Sequence, residues 1–572
     1  MRKLATGILM MFALLPLFGQ TRTVERVYVS TDKTVYVAGD RIWCSAFCVD
    51  ARGGLSPVSR VAYLELHSAD GLAATARLAL EQGRGAGTID LPASMPTGNY
   101  RLIAYTAQNR AETGYDYEGI ASKTISVFNV LTTDRVTDGV EVVTPEDYAK
   151  RVEERFPVKP GMTSGIMAGS GQASLDLAWQ DGALTLVNRS DQPVSLSLSV
   201  YHDDGILANA NPGIDDFLAL ARKASASGFD DSVLPDYEGE VLYGHIVGFS
   251  PDLIPDLIGK YAFISSPSDK SDVYAAPIRE DGSLVFFTGN IYGNKECISE
   301  IEGIDPTFIG HVELRSPYVN ASVADAPQLP ITQGLADALK LRSAAMQLER
   351  RFAADSLLDF LPHRSDALFD ESVRVRYKLD DYTRFTTMEE VFVEFIPEIR
   401  VRRLEDGSVD IKVRLEDAAS SPVFSTGKTL MLLDGVPVFD QKKIMDYDPL
   451  LVESIDIYPL THLIGNRVFE GVVNFVTYKR NLPSFRFDGN ARVIDWQGVC
   501  LPMTSTGAAV AGNRDYPDYR QTLYWHPLLQ LEPGESRRIE FPMPRYNGRF
   551  EAVAEGVTAA GLPACARTSF EK

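Results

Sequence analysis

The sequence predicts a multidomain protein that is mainly β, with tandem β-sandwiches and one small α+β domain. At 572 residues the chain is too long for a single hydrophobic core. Short stretches in which apolar and polar residues alternate recur between turns rich in Gly and Asp, a pattern typical of sandwiches. A clear change to helical spacing occurs at residues 331–352.

Residues 1–20, MRKLATGILMMFALLPLFGQ, predict a secretory signal peptide. A basic start precedes an apolar run from Leu4 to Phe18, which is too short to span a bilayer. A buried N-terminal helix is the alternative interpretation. No Cys follows directly, which disfavours a lipid anchor, and no later apolar run is long enough for a transmembrane helix. We therefore expect an exported protein of the periplasm or the outer membrane.

The net charge and the cysteines argue against nucleic-acid and membrane partners and against a fold held together by disulfides. The chain has 77 acidic and 56 basic residues, a net charge of -21. Such acidity argues against nucleic acid or an anionic membrane surface as partner. The five cysteines are odd in number and scattered, which is a poor disulfide framework. Cys44 and Cys48 stand about 13 Å apart along a predicted strand, too far to bridge each other, so we expect buried thiols.

Residues 21–130 are predicted to form the first β-sandwich. The stretches RVYVSTDKTVYVAGDRIWCSAFCVD, VAYLELHS and TGNYRLIAYTAQNR alternate between apolar and polar residues. This segment also resembles the second macroglobulin-type domain of bacterial alpha-2-macroglobulin-like proteins. The resemblance rests on Thr31-Asp32-Lys33, Tyr36, Gly39-Asp40, Leu91-Pro92, and Gly98 with Tyr100 to Thr106.

Two further sandwiches are predicted at residues 131–238 and 239–320. In the first, the run VSLSLSV from Val194 to Val200 is apolar on one face and Ser on the other, which predicts a half-buried sheet. The stretch PGIDDFLALARKASASG is expected to be a short helical or loop insertion. The sandwich predicted at residues 239–320 resembles the carboxypeptidase-regulatory-like sandwich, most typically in the Asp281-Gly282 turn before an apolar strand. Such modules carry no peptidase chemistry.

Residues 321–385 are predicted to be a helical linker segment. Apolar residues recur at three-to-four spacing from Ile331 to Phe352, which predicts an amphipathic helix with Pro330 suited to its first turn. We expect the apolar stripe to pack on a neighbouring sheet; a partner-binding helix is the alternative. Residues 491–572 return to strand patterns and are predicted to be a separate C-terminal β-sandwich. Their TLYWHP stretch resembles a macroglobulin-type piece of barrel-less Bacteroidetes envelope proteins.

Residues 386–490 are predicted to form the small α+β domain. Thr387 and Glu390 have the capping-box arrangement before a short helix. The stretches MLLDGVPVFD and FEGVVNFVTYK follow, and they resemble the plug domain of a TonB-dependent outer-membrane receptor. The resemblance implies two strand pairs with tight turns. Its motif, as structural or partner-binding positions, comprises Asp434, Gly435, Gly465, Gly471, Asn474 and Thr477.

The length after this domain argues against transport. A receptor barrel of about twenty-two strands, with about ten residues in each strand, needs several hundred residues. Only 93 residues follow Lys479. We therefore expect that the chain does not transport a substrate by itself.

No motif in the sequence predicts catalysis, a cofactor or a metal. The seven histidines lack zinc-binding spacing, and no Gly-x-Ser-x-Gly elbow is present. The stretch STGKT at 425–429 ends like a phosphate-binding loop, but Pro422 stands where the first Gly should be, so we predict a turn. No Cys is followed by the residues of the thioester that protease-trapping macroglobulins carry. We predict no catalytic, cofactor-binding or metal-binding residue.

The favoured function is that of a noncatalytic exported cell-envelope protein that binds a protein partner or ligand at the outer membrane. The alternative is a macroglobulin-like protein that interacts with proteases without a thioester. The identity of the partner, the oligomeric state and the side of the membrane stay open.

Overall fold

The chain is mainly β and is built from several sheets that pack in pairs. The computed structural model describes residues 24–109, 122–132, 140–155, 175–207, 211–222, 234–268, 272–289, 291–305, 307–319, 327–352, 358–360, 369, 374–416, 423–501, 503–506 and 517–572. The predicted signal peptide, part of the predicted linker and His363 lie outside these residues.

The first described strands form a β-sandwich. They are β1 (Glu25–Thr31), β2 (Val35–Val37), β3 (Arg41–Asp50), β4 (Val61–Ser68), β5 (Gly71–Ala79), β6 (Arg84–Asp90), β7 (Gly98–Tyr105) and β8 (Lys123–Phe128). One sheet has the order β1-β3-β6 and the other the order β2-β8-β7-β4-β5. Alternating apolar residues from both sheets share one core, in which Cys44 and Cys48 are fully buried. The predicted buried thiols are thereby confirmed.

The next segment supplies strands that complete their sheets much later in the chain. Its elements are β9 (Val140–Val142), helix α1 (Pro145–Arg155), β10 (Leu175–Gln180), β11 (Ala183–Asn188), β12 (Val194–Asp203) and helix α2 (Ile214–Ala221). The predicted insertion is therefore helical at residues 214–221, and its last residues, 223–228, lie outside the described ranges. Ile214 and Phe217 of α2 are buried against Tyr28 and Phe47 of the first sandwich.

A third unit follows. Its elements are β13 (Val241–Val247), helix α3 (Ile254–Leu257), β14 (Tyr261–Ser266), β15 (Asp272–Pro277), β16 (Ser283–Phe287), β17 (Asn294–Ile301) and β18 (His311–Leu314). The order β16-β13-β18 forms one sheet, and β15-β14-β17 forms most of the second. Leu242, Ile264 and Phe286 lie in the core between them.

The linker contains strands as well as a helix. It has β19 (Leu329–Ile331), helix α4 (Ala336–Phe352) and β20 (Leu358–Phe360). The predicted start of the helix at Ile331 is wrong, because residues 329–331 pair in parallel with β9 and bring Pro330 into a strand. Leu335 and Met346 pack with Val35 and Val37 of β2, so the helical stripe covers a sheet as expected.

The fourth unit corresponds to the predicted α+β domain but begins before residue 386, because β21, which lies within the predicted linker, pairs with β27. It contains β21 (Val375–Lys378), α5 (Met388–Phe395), β22 (Ile399–Arg403), β23 (Val409–Leu415), β24 (Val423–Phe424), β25 (Leu430–Leu433), β26 (Val436–Pro437), α6 (Gln441–Met445), β27 (Val452–Ile464) and β28 (Arg467–Thr477). Its main sheet has the order β21-β27-β28-β25-β26, in which β25 and β28 run parallel. The capping box before α5 is present: the Thr387 side chain accepts from the Glu390 amide, and the Glu390 carboxylate accepts from the Thr387 amide.

The C-terminal strands do not form a separate sandwich, in contrast to the prediction for residues 491–572. They are β29 (Arg492–Gln497), β30 (Met503–Thr506), β31 (Thr522–Leu531), β32 (Ser536–Ile539), β33 (Arg549–Thr558) and β34 (Pro563–Glu571). Strand β29 pairs with β17 and extends the third unit. Strand β32 joins β10-β11, and the rest form the sheet β20-β30-β31-β12-β33-β34.

The units are therefore nested. Strand β12 lies between β31 and β33, so the second sandwich is made from two segments more than 300 residues apart in sequence. In sequence, the third unit lies between β12 and β31 of the second sandwich, and the α+β domain lies between β18 and β29 of the third unit. The α+β domain is preceded by β20, which pairs in the second sandwich, and is followed by β29, which pairs in the third unit.

Candidate functional site

The predicted motif centres on a tight turn between β25 and β26. Asp434 has a φ of 48° and Gly435 a φ of 82°, so both residues are left-handed. Two left-handed residues in a two-residue loop match the twist of a hairpin, and an Asp-Gly pair adopts this conformation at little cost. The predicted Asp-Gly turn is confirmed.

The Asp434 carboxylate collects hydrogen bonds from the end of β28 and the loop after it. The Thr477 amide donates to Oδ1 at 2.6 Å, the Thr477 hydroxyl to Oδ2 at 2.7 Å, and the Leu482 amide to Oδ2 at 2.8 Å. The Gly435 amide donates to Asn474 Oδ1 at 3.1 Å. The structure thus brings together Asp434, Gly435, Asn474 and Thr477, which we call the Asp434 cluster.

This cluster is closed to solvent. Asp434 and Thr477 have no exposed surface and Asn474 is 1% exposed. A buried carboxylate is costly unless donors surround it, and charge-assisted hydrogen bonds of this kind are the strong ones. The arrangement therefore holds the turn against β28 and leaves no room for a ligand.

The other two motif residues lie elsewhere and are required by close approach. Gly465, with a φ of 56°, forms the turn between β27 and β28, and a Cβ there would lie 2.4 Å from the Ala275 carbonyl of the third unit. Gly471, with a φ of 84°, would place a Cβ 2.8 Å from the Cβ of Val413 on β23. Gly471 lies inside β28. Both positions favour glycine, because glycine adopts a positive φ readily and has no Cβ to meet these atoms.

Both faces of the main sheet of this domain are covered by the chain itself. One face packs against α5, α6 and β23 through residues such as Phe392, Val413 and Phe475. The other face packs Leu432 and Phe469 against Phe263 and other apolar residues of the third unit. Sequence reasoning missed this second contact. The only signal for it was the alternation of residues in KYAFISS.

The STGKT stretch binds an internal carboxylate. The amides of Thr426 and Gly427 each donate to Glu470 Oε2 at 2.7 Å. These hydrogen bonds lower the pKa of Glu470. Lys428 pairs with Glu302 of the third unit at 2.7 Å. The loop therefore uses its anion-binding geometry to hold β28, in agreement with the predicted turn.

A second polar site lies between the first and second sandwiches, and sequence reasoning did not find it. The Ser face of β12, which was predicted to face solvent, is buried against the first sandwich. Ser197 donates to Ser30 Oγ at 2.8 Å, and Ser199 donates to the Asp32 carbonyl at 2.5 Å. The predicted half-buried sheet is therefore buried on both faces at this strand. The signal in the sequence that could have revealed this polar site was the charged pair Asp32-Lys33 beside a strand.

Asp32 and Lys33 form the centre of this interface. The Asp32 carboxylate accepts from Tyr36 at 2.7 Å and from Thr522 of β31 at 2.5 Å. Lys33 Nζ lies 3.0 Å from Asp32 and 3.4 Å from Asp40. The residues that carry the macroglobulin resemblance thus join two domains in this chain.

Within the ranges given above, no three His, Cys, Asp or Glu side chains are grouped so that they could hold a metal ion. Over the same ranges, no helix combines the length and apolarity needed to cross a membrane.

Comparisons with known proteins yield only distant structural neighbours. No family model and no curated protein matches the chain. It aligns with Salmonella alpha-2-macroglobulin reacted with methylamine at 8% identity and a TM-score of 0.23, covering 95% of this chain and 39% of that one. Trypsin-activated alpha-2-macroglobulin from Escherichia coli gives 9% identity, a TM-score of 0.20 and coverages of 95% and 41%. Dimeric latent PorU from Porphyromonas gingivalis gives 8% identity, a TM-score of 0.17 and coverages of 50% and 33%.

The chain therefore spans about two fifths of the length of the alpha-2-macroglobulins with which it aligns. The paired sheets and the hydrophobic cores that they share make this a fold of several β-sandwich domains.

Proposed function

We propose that this protein is a noncatalytic, exported protein of the cell envelope whose plug-like domain is a fixed binding module for a protein partner at the outer membrane. The observation that carries the proposal is that both faces of the plug-like sheet are buried within the chain. A gate must move relative to its surroundings, whereas a sheet covered on both faces by apolar side chains is held in place. This favours presentation of a surface over passage of a substrate.

The surface offered to a partner lies at one end of the plug-like sheet, beside the Asp434 cluster. There Tyr382, Leu450 and Tyr478 are 41%, 45% and 48% exposed, and we call them the end patch. They are neighbours, because the Tyr478 amide donates to the Leu451 carbonyl and its hydroxyl to Asp380. Aromatic side chains of this kind are enriched at protein interfaces.

The third unit supports the sheet beside the end patch but does not cover the patch. Tyr478 follows Thr477, whose amide donates to Asp434, and the Asp434 carbonyl accepts from the Ser268 amide of the third unit at 2.9 Å. The three side chains of the patch nevertheless stay 41–48% exposed. A partner could therefore reach the end patch without displacing the domain that supports the sheet.

Site-specific photocrosslinking tests this proposal in cells that produce the full chain. A photoreactive residue at Leu450 should crosslink to an outer-membrane protein, whereas one at Phe287 should not. Phe287 is the matched control because it is 64% exposed but lies on the third unit. A soluble monomer with no crosslinked partner from position 450 would contradict the proposal.

Protease challenge of the purified chain provides the second arm. Binding that is unaffected by added protease agrees with a fixed module. Cleavage followed by a change of shape and retention of the protease would instead favour the protease-interacting alternative, and it would overturn the proposed function.

A further inference from the structure

A buried acidic pair lies at the contact between the first sandwich and the third unit. Asp236 is 1% exposed and Glu240, just before β13, has no exposed surface. Arg77 of β5 is 2% exposed and supplies the cation. We call these three residues and the contact around them the acidic seam.

Arg77 crosses the seam and is held on several sides. Its Nη1 lies 2.5 Å from Glu240 Oε1, and its Nε donates to the Tyr318 hydroxyl at 3.2 Å. The guanidinium also stacks over the ring of Trp496 on β29, 4.2 Å from the centroid. The side chain is therefore fixed between two domains.

Asp236 bonds to both domains as well. Tyr63 of β4 donates to Oδ2 at 3.0 Å, and the Val241 amide donates to Oδ1 at 2.9 Å. The Arg60 amide of the first sandwich donates to the Asp236 carbonyl at 2.8 Å. Loosening of the seam would therefore expose the backbone of Arg60.

The charges in the seam do not balance when both carboxyls are ionised. The groups that face the pair are Tyr63, Arg77, Tyr318 and Cys297. Burial raises the pKa of Tyr63 well above its ordinary value and that of Cys297 to about 11, so Arg77 is the one cation among these groups near neutral pH. Glu240 Oε2 is buried and has no hydrogen-bond partner. An ionised oxygen in that position is costly.

We propose that Asp236 and Glu240 retain a proton between them and that this proton keeps the first sandwich and the third unit together, so that the seam loosens when the proton leaves. The seam is then a pH-sensitive hinge between the half of the molecule that contains the first sandwich and the half that carries the plug-like domain.

The direction of the pH dependence follows from the shifted groups. Burial raises the pKa of Asp236 to about 8, with Glu240 adding to the shift, and burial raises the pKa of Glu240 to about 7 against the effect of Arg77. In an open seam both carboxyls would titrate near their ordinary pKa of about 4. The closed form thus holds more protons between these values, and rising pH favours opening from about pH 4 to about pH 8 and no further.

Hydrogen exchange of the full mature chain tests the proposal. The Arg60 amide bonds to Asp236, and the Cys500 amide bonds to the Arg77 carbonyl at 2.7 Å, so both report on the seam. After correction for the intrinsic rate, we expect protection at both amides to fall at least about tenfold between pH 5 and pH 9, since one unit of pKa shift corresponds to a tenfold change.

The decisive variant is Glu240→Gln, which keeps an acceptor for Arg77 and cannot ionise. Its protection should change less between pH 5 and pH 9 than that of the wild type, because Asp236 is then the one carboxyl of the pair that still ionises. Asp236→Asn serves as a second variant with a reduced pH dependence. Glu302→Gln, which removes a carboxylate paired with Arg467 and Lys428 at the contact with the plug-like domain, is the control that should retain the pH dependence of the wild type.

Protection in the wild type that is independent of pH over this range would overturn the proposal. The same conclusion would follow if Glu240→Gln folded and kept the full pH dependence. If neither variant folds, the wild-type profile at Arg60 and Cys500 still decides.

Discussion

Two contacts between domains in this chain are built from opposite chemistry. The third unit meets the main sheet of the α+β domain through apolar side chains, including Phe263, Leu432 and Phe469. The first and second sandwiches meet largely through hydroxyls and charges, centred on Asp32 and Lys33. Even the apolar parts of the second contact, such as the pair Trp43–Trp525 at 5.7 Å, lie beside this polar centre.

The difference shows that one contact mainly stabilises the assembly of domains, whereas the other specifies how the domains align. The stabilisation by an apolar contact is roughly proportional to the buried area and has little direction, so the contact between the third unit and the α+β domain holds the two together without requiring particular partners. Hydrogen bonds and ion pairs require particular partners, and one missing partner leaves a buried group unsatisfied. The polar contact therefore specifies how the two sandwiches align, while it depends on each individual group.

Truncation in the apolar contact should give the largest effect. Phe263 is 1% exposed and lies 4.8 Å from the ring of Phe439 and 6.2 Å from that of Phe469. Phe263→Ala should lower the free energy of unfolding of this half by about 3–5 kcal/mol, because it removes buried apolar surface and leaves a cavity. Urea denaturation followed by hydrogen-exchange mass spectrometry measures the loss separately for each domain.

Phe287→Ala is the matched control, since this ring is 64% exposed on the same unit. We expect a change within about 0.5 kcal/mol. Equal losses for the two substitutions would show that the contact between the third unit and the α+β domain does not stabilise this half.

Removal of one charge from the polar contact should give an intermediate effect. Asp32→Asn keeps the shape but leaves Lys33, which is 7% exposed, with Asp40 as its partner at 3.4 Å. Loss of one partner from a fully buried pair costs about 3–5 kcal/mol, and the remaining pairing with Asp40 reduces our expectation to about 2–3 kcal/mol. The loss should be confined to the first and second sandwiches, as judged by hydrogen exchange.

Asp90→Asn provides the comparison. Asp90 is 61% exposed and pairs with Arg41 on the same sandwich at 2.6 Å, and exposed pairs of this type contribute about 0.2–1 kcal/mol. If Asp32→Asn cost no more than Asp90→Asn, the polar contact would not be the element that aligns the sandwiches.

Much of the local structure was predictable, but the pairing of distant strands was not. The alternation of VSLSLSV predicts a strand, and the capping box at Thr387 predicts the start of α5, because both signals are local. Backbone hydrogen bonds between strands carry no sequence information, so nothing in Val194–Asp203 indicates that its partners are Thr522–Leu531 and Arg549–Thr558. The nested order of the domains therefore could not be predicted from the sequence.

The candidate site divides in the same way. The Asp434-Gly435 turn was predictable because few residue pairs adopt two left-handed conformations. The partner of Asp434 at Leu482 was not, since its amide donates from a loop without a recognisable pattern. The Ser face of β12 was misassigned because serine is compatible with water and with a polar protein surface alike.

The smallest effect should separate two serines on that face. Ser199→Ala removes the donor to the Asp32 carbonyl at 2.5 Å in a residue that is 5% exposed, and it should cost about 1 kcal/mol. Ser195→Ala removes only a contact of 3.4 Å from Arg84 and should change the free energy of unfolding by less than about 0.5 kcal/mol. Both substitutions delete one oxygen from the same face of the same strand, so intrinsic strand propensity cancels in their difference. Equal costs would mean that β12 contacts the first sandwich through shape alone, whereas the expected difference would show that alignment depends on individual hydrogen bonds.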